Sequence, residues 1–380
     1  MFLFKQKSQD FIVEEILPFE LIEKGDAFFV YIEKRNKNTS NIIQHLCSTF
    51  KISRKTIGIA WLKDKKAIAR QRISIYKRAL WQLGWEKAWI NAIKEVATVR
   101  EIHWHTTPLN MSSNISNRFH IRLRAEKNLS TKERATTQQI LESILDKWYP
   151  NVFWSQRFGI NGRNKDQWKE ILLWVSKLTK QRHPNRKEII FKLQAYASYL
   201  FNSYFYERNK QELRLVDGDI VTLAQPVDEM SYWIYNIKDS TITLFQNKHS
   251  TTPFKSPKRF GKTLSYDPNT MHLTWPVLGF DLLVPDLERS AGKWEKQFFE
   301  SHWIDAKQMQ VFKQRKVFGL RRNLRVQPTK SSVRFQWEDV LLDFTLPAGA
   351  YASTLVNEMK KKLEIKEIRR SNTYKRKEHY

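Results

Sequence analysis

Residues 118–124 read Arg-Phe-His-Ile-Arg-Leu-Arg, and this strict alternation constrains the fold more than any other stretch. Successive side chains of a strand point to opposite faces. Phe119, Ile121 and Leu123 therefore cover a core, while Arg118, His120, Arg122 and Arg124 face away. That basic outer face is either a phosphate-contacting surface or an edge guarded by charge. A second strand is expected over Ala27–Glu33. A helix should follow from about Ser40 to Phe50, with Ile42, Ile43, Leu46 and Phe50 on its apolar side. Ser130-Thr131-Lys132-Glu133 has the form of a capping box, opening a helix that runs to about Trp148.

After Asn164 long helical stretches take over, the clearest being Glu188–Arg208 with Leu193, Tyr196, Leu200 and Tyr204 at helical spacing. Strand character returns over Val333–Leu346, and the tail from Lys360 reads as a frayed basic helix. Strands, then helices, then strands again describe an α+β domain interrupted by an inserted one. A chain of 380 residues has the length for two cores.

Lysine and arginine number 66 against 39 acids, a formal charge of +27. Such an excess attracts polyanions, although an AT-rich genome would also enrich lysine, so charge alone leaves nucleic acid open. Cys47 is the only cysteine, which excludes an intramolecular disulfide and every Cys-rich zinc site. Its place in an apolar helical pattern makes it a buried, inert thiol. No apolar run has the roughly 18 residues needed to span a bilayer, and Lys5 comes too early for a secretory signal. A cytoplasmic protein that does not engage membranes is expected.

At residues 58–67 an apolar run (Ile57, Ile59, Ala60, Leu62) ends in Asp64, held between Lys63 and Lys65. Flanking cations favour the ionised carboxylate. Taken alone, the stretch reads more readily as a solvated turn at a strand end than as a site.

Four segments, taken in order, change that reading. They are Asp10-Phe11-Ile12-Val13-Glu14-Glu15, then Leu62-Lys63-Asp64-Lys65-Lys66-Ala67, then Asn151-Val152-Phe153-Trp154-Ser155-Gln156-Arg157-Phe158-Gly159, and finally Leu346-Pro347-Ala348-Gly349-Ala350-Tyr351-Ala352-Ser353. Together they resemble the tRNA pseudouridine synthase D (TruD) family. Ser116-Asn117-Arg118-Phe119, Leu200-Phe201-Asn202, Asp217-Gly218-Asp219 and Gly279-Phe280-Asp281 extend the resemblance to about residue 360.

The resemblance implies a discontinuous pseudouridine synthase catalytic domain around a mixed or antiparallel sheet, residues 1–165 and 326–380. A family-specific inserted TRUD domain would occupy 166–325, and a basic cleft would hold tRNA. The implied reaction isomerises a uridine of the D-arm region, position 13 of tRNA, to pseudouridine. It breaks the N1–C1′ bond and rejoins the base through C5, which calls for an ionised carboxylate at the reacting carbon. By resemblance that group is Asp64. Phe11, Asn151 and Tyr351 fall where the family touches the target nucleotide, and Phe153 would line the same pocket. Lys63 and Lys5 are candidates to contact phosphate or to steady the Asp64 charge. The target base must leave its stack, so base flipping is implied. No metal and no cofactor are expected; tRNA is the expected partner, and the chain is expected to be a monomer.

Trp61, Trp154 and Trp275 occupy places where the family commonly has glycine. Glycine numbers only 11, about 3 % against a usual value of about 7 %, while tryptophan numbers 14. An AT-rich genome should deplete both. One hypothesis is that some of these tryptophans are UGA codons that the organism reads as glycine. The alternative is family drift, with indoles narrowing the pocket. On that alternative the chain is a catalytically impaired RNA-binding protein or tRNA chaperone of the same fold. A methyltransferase or nucleotide-dependent enzyme is disfavoured, since no glycine-rich cofactor loop occurs.

Overall fold

β-branched and aromatic residues dominate the N-terminal strands, and their alternation dictates which faces are buried. The structure, a computed structural model, describes residues 2–63, 67–82, 84–110, 114–158, 186–223, 232–245 and 259–367. In chain order the first elements are β1 (Phe2–Phe4), β2 (Phe11–Ile16), β3 (Ala27–Arg35), α1 (Thr39–Phe50), β4 (Ile57–Ile59), β5 (Ile68–Tyr76), α2 (Lys77–Gln82), α3 (Trp85–Lys94), β6 (Thr98–His105), β7 (Ser116–Ala125) and α4 (Thr131–Leu145). A second set follows: β8 (Tyr149–Pro150), α5 (Arg186–Asn209), β9 (Ile220–Leu223), β10 (Tyr232–Asn236), β11 (Thr241–Phe245), β12 (Arg259–Ser265), β13 (Met271–Val277), α6 (Ser290–Ser301), α7 (Ala306–Gln314), β14 (Leu320–Asn323) and β15 (Arg325–Val326). The chain ends with β16 (Thr329–Gln336), β17 (Asp339–Pro347), α8 (Ala352–Lys360) and β18 (Ile365–Glu367).

Two compact units result, one from residues 1–148 with 327–380 and the other from 149–326. The first break thus falls at 148/149, earlier than the 165/166 expected, so Asn151 and Phe153 belong to the second unit. The first unit is built on a ten-stranded mixed sheet whose main path runs β16-β17-β7-β2-β5-β3-β6. The β2–β5 and β1–β18 pairs are parallel, and the other pairs are antiparallel. Helices α1 and α3 cover β3, β4 and β5 through Ile42, Leu46, Trp89 and Ile93, all buried against Phe28 and Ile73.

The alternation at 118–124 holds in β7: Phe119, Ile121 and Leu123 are buried, and Arg118 is exposed. Its basic face is largely neutralised from within. Arg124 makes a two-pronged contact with Asp10 (2.6 and 2.9 Å), His120 bonds to Asp343, and Arg122 lies 3.7 Å from Asp339. Acids on β2's approach and on β17 face these cations across the strands, so most of this surface is committed to the sheet rather than to phosphate. Ser130 and Glu133 form the capping box of α4, which stops at Leu145. The stretch 333–346 is a hairpin of two strands rather than one. The C-terminal segment also departs from a continuous helix, because 365–367 pairs with β1 as a strand.

The second unit contains a six-stranded antiparallel sheet, β12-β11-β10-β9-β13-β14, where only helices were expected. Its core forms around α5, whose Leu193, Tyr196, Phe201 and Tyr204 are buried with Phe298 and Phe312. The aromatic stripe of α5 is therefore core. Buried ions are paired here: Arg208 with Asp219 at 2.8 Å and Arg321 with Glu295 at 2.7 Å. Arg289 grips Asp217 at its edge, Nε to Oδ2 at 2.8 Å.

The Arg289 guanidinium holds the Asp217 carboxyl below its usual range. An acid with a depressed folded pKa stabilises the fold above its unfolded value and loses that contribution as pH falls. Asp217→Asn should therefore cost about 2 kcal/mol at pH 7 in urea unfolding. The deficit should shrink as pH falls below about 4, where the unfolded wild-type chain takes up a proton that the folded carboxyl binds only at lower pH.

Candidate active site

Glu15 is the unusual residue of β2, a carboxylate where alternation demands an apolar side chain. It lies on the buried face with Phe11 and Val13, and it is 4 % exposed. Its Oε2 accepts the Arg72 backbone N–H at 3.0 Å, while its Oε1 is buried without a hydrogen-bond partner among the described residues. The Lys63 ammonium stands 4.0 Å from Oε1 and donates to the side-chain oxygen of Asn117. The backbone N–H of Lys63 donates to Thr39 Oγ1 at 3.1 Å, and that hydroxyl donates to Gln71 at 2.9 Å. Lys63 is thus held at both its backbone and its ammonium. Burial raises the Glu15 pKa, opposed by Lys63 and by the Arg72 N–H.

Asp64, Lys65 and Lys66 lie outside the described residues. Both flanks of that segment meet β2. Lys63 is held at Glu15, and Ala67 immediately precedes Ile68, whose partner in β5–β2 pairing is Ile12. Phe11, next to Ile12, is 4 % exposed and packs against Phe4 and Phe119, with ring centroids 5.8 and 5.9 Å away. Lys5 follows β1 with φ of 56°, and its ammonium sits 3.9 Å from the Phe11 ring centroid. The structure therefore brings Lys5 onto Phe11 and Lys63 onto Glu15, along one face of one strand.

Tyr351 comes from the C-terminal arm of the same unit. β17 pairs with β7 through Leu346↔Asn117 and Pro347↔Ser116, and Ala348 N–H then donates to Ile115 O at 2.8 Å. Gly349, at φ of 84°, turns the chain so that half-buried Tyr351 becomes the N-cap of α8. The Tyr351 loop and Asn117 thus share one end of the sheet.

Asn151 and Phe153 form a separate cluster in the second unit. The Asn151 amide nitrogen donates to Asn323 O at 2.9 Å, and its oxygen accepts from Arg322 at 2.5 Å. Arg322 Nε also donates to the Asn151 carbonyl at 3.0 Å. The same guanidinium lies 4.4 Å from the centroid of Phe153, whose backbone is bonded at both N–H and C=O by the Asn202 side chain. Arg322 and Asn202 are positioning residues that sequence reasoning missed. So are Glu15 and Asn117, although all but Arg322 lie within family-like blocks. No cluster of three or more His, Cys, Asp or Glu among the described residues is arranged to hold a metal ion.

Removing Lys63 takes the stronger of two counter-charges from buried Glu15 and leaves it only Arg72. Lys63→Met should cost about 3 kcal/mol at pH 7. Without the lysine the raised Glu15 pKa rises further, so the deficit should grow as pH rises and shrink toward pH 5. Denaturant titrations at the two pH values check this, and Glu15→Gln in the Lys63→Met background should remove the pH-dependent part. Independently, Arg322→Met should lower stability by about 2 kcal/mol, since it strips a charged donor from two Asn151 acceptors.

Comparison of the whole chain with known proteins points to one family. The profile of "tRNA pseudouridine synthase D (TruD)" matches residues 3–168 and 184–359. A tRNA pseudouridine synthase D of Helicobacter acinonychis is 26 % identical over 94 % of this chain and 93 % of its own length. That of Idiomarina loihiensis is 26 % identical over 94 % and 91 %. A Nitratiruptor protein of the same name reaches 31 % identity, over 54 % of each chain. A crystal structure of a Methanosarcina mazei protein assigned to TruD superposes with a TM-score of 0.57 at 19 % identity, covering 94 % of this chain and 93 % of that one, a likeness of fold. With the profile matching both arms of the interrupted unit and most of the insertion, the chain belongs to the tRNA pseudouridine synthase D family.

Proposed function

We propose that this chain isomerises one uridine of tRNA, in the D-arm region at position 13, with Asp64 as the nucleophile. The observation that carries the reading is the family match over both halves of the chain. The location of the segment's flanks supports the role of Asp64, since Lys63 and Ala67 both border β2 beside Phe11 and Glu15. The Asp64 carboxylate attacks the nucleotide as the N1–C1′ bond breaks, and the electron pair of that bond leaves with the uracil. The base turns and C5 bonds to C1′; the C5 proton is lost, a proton is gained at N1, and the carboxylate is released. Atoms and charge balance without any redox partner.

Lys63 keeps a positive charge next in sequence to the nucleophile, which favours its ionised form at neutral pH. The rings of Phe11, Phe153 and Tyr351 are candidates to stack on the extruded base, each such contact being worth about 1–3 kcal/mol. In the described conformation the Lys5 ammonium covers the Phe11 ring and Arg322 covers Phe153, so a base reaching either ring displaces or joins a cation. Asn151 is half of an Asn–Arg pair, and its amide acts on a nucleotide only together with Arg322.

Incubating the purified chain with a tRNA transcript should yield pseudouridine at a single site, read by carbodiimide labelling and primer extension. Asp64→Ala should abolish product while retaining binding in a filter assay. Binding without product from the wild-type chain would favour the impaired RNA-binding protein, and product from Asp64→Ala would remove the nucleophile assignment.

A further inference from the structure

Three of the twelve described tryptophans, Trp85, Trp303 and Trp337, have positive φ, at 70°, 61° and 58°. Only a few per cent of non-glycine residues do so, chiefly Asn, Asp and His. Two of the three stand in motifs whose left-handed position favours glycine, although Lys316 fills the same position after α7. Helix α6 ends at Ser301 with His302 as its C-cap. The next residue, Trp303, donates to Glu300 O at 3.0 Å, and Ile304 donates to Phe299 O at 2.9 Å. This pair of bonds is the Schellman motif, and Trp303 occupies its left-handed position. Its indole is 74 % exposed, so burial does not offset the strain.

Trp337 and Glu338 form the two-residue loop between β16 and β17, closed by the pair Gln336↔Asp339. Of the two, only Trp337 has positive φ. A two-residue hairpin loop with positive φ at its first residue alone is a type II′ turn, and that position takes glycine. Here too the ring is out in solvent, 86 % exposed.

Trp275 conflicts with its surroundings in another way. It is 1 % exposed on β13, and its ring lies parallel to that of Tyr204 (8°) with centroids 3.0 Å apart. Favourable aromatic pairs keep about 4.5–7 Å between centroids, so the two rings claim the same space. The indole N–H is buried with no hydrogen-bond partner among the described residues. A residue without a side chain resolves both problems and lets Tyr204 of α5 close on the strand. Trp85 differs, since it lies in no motif that demands glycine and its ring is 5.4 Å from Trp81.

We infer that residues 275, 303 and 337 of the polypeptide made in the cell are glycine, the UGA codon being read as glycine. UGA differs from the glycine codon GGA only in its first base, so a single anticodon change in a glycine tRNA suffices to decode it. A host that reads UGA as tryptophan would build three misfitting indoles into the chain. The backbone and packing at these sites carry the inference without reference to activity, and it extends the sequence hypothesis to two positions, 303 and 337, that composition and family pattern did not mark.

Two readouts test it, and neither measures pseudouridine. Codons 275, 303 and 337 of the gene should be UGA, and mass spectrometry of tryptic peptides from the chain isolated from its own cells should show glycine at all three. UGG at any of the three, or tryptophan in those peptides, overturns the inference. Recombinant chain carrying Trp275→Gly, Trp303→Gly and Trp337→Gly together should melt higher than the all-tryptophan chain by about 5 °C or more. An equal or lower melting temperature counts against it.

Discussion

The pairing of β7 with β17 is the constraint on which the rest of the first unit depends. Eight consecutive residue pairs, from Val340↔Leu123 to Pro347↔Ser116, join strands separated by more than two hundred residues of chain. β7 also pairs with β2 along the latter's whole length. One strand thus fixes the register of both the N-terminal segment carrying Phe11 and Glu15 and the C-terminal segment leading to Tyr351. A slip of one residue would turn Phe119, Ile121 and Leu123 outward, and it would also separate Asn117 from Lys63.

The sheet explains why a charge can be buried at Glu15. A lone carboxylate on that face would be costly, but Lys63, the Arg72 N–H and the polar pair of Asn117 and Asn114 surround the position. The group ties the residue before Asp64 to β2 while Thr39 holds its backbone. On the role proposed for Asp64, such fixation of its neighbour matters, because reactive geometry tolerates little slack. In the second unit Arg322 plays a comparable part, gathering Asn151 and Phe153 through one planar guanidinium. A lysine could supply the charge but not the fork.

Much of this was legible in the sequence, and what was missed has physical causes. Alternation at 118–124, the capping box at Ser130 and the helical stripe of 188–208 each reflect one element's own periodicity, and each element formed there. The six-stranded sheet of the second unit lacks such a signature. β10, Tyr-Trp-Ile-Tyr-Asn, is buried at its first four positions, and β9 at its first three, so neither alternates. The hairpin at 337 escaped for a different reason. Its turn is announced in sequence by glycine or asparagine, and tryptophan hides it. For the candidate site, residue types were readable from the family-like blocks, but their partners were not. Arg322 lies far along the chain from Asn151, and the pairing of β8 with β15, which flank the two residues, brings them together.

The neutralised face of β7 bears on how a polyanion would be held. Each ion pair consumes one acid and one base, so pairing cannot reduce the excess of 27 cations. Because Arg124, His120 and Arg122 are engaged by Asp10, Asp343 and Asp339, the attraction must come from other lysines and arginines. Distributed cations of that kind give binding that depends on phosphate spacing rather than base sequence, and that weakens steeply with salt. On the proposed activity, the choice of uridine would then fall to the few groups that touch the base. This division suits a folded RNA, where shape brings the nucleotide to the site and a small set of aromatic and amide contacts reads it.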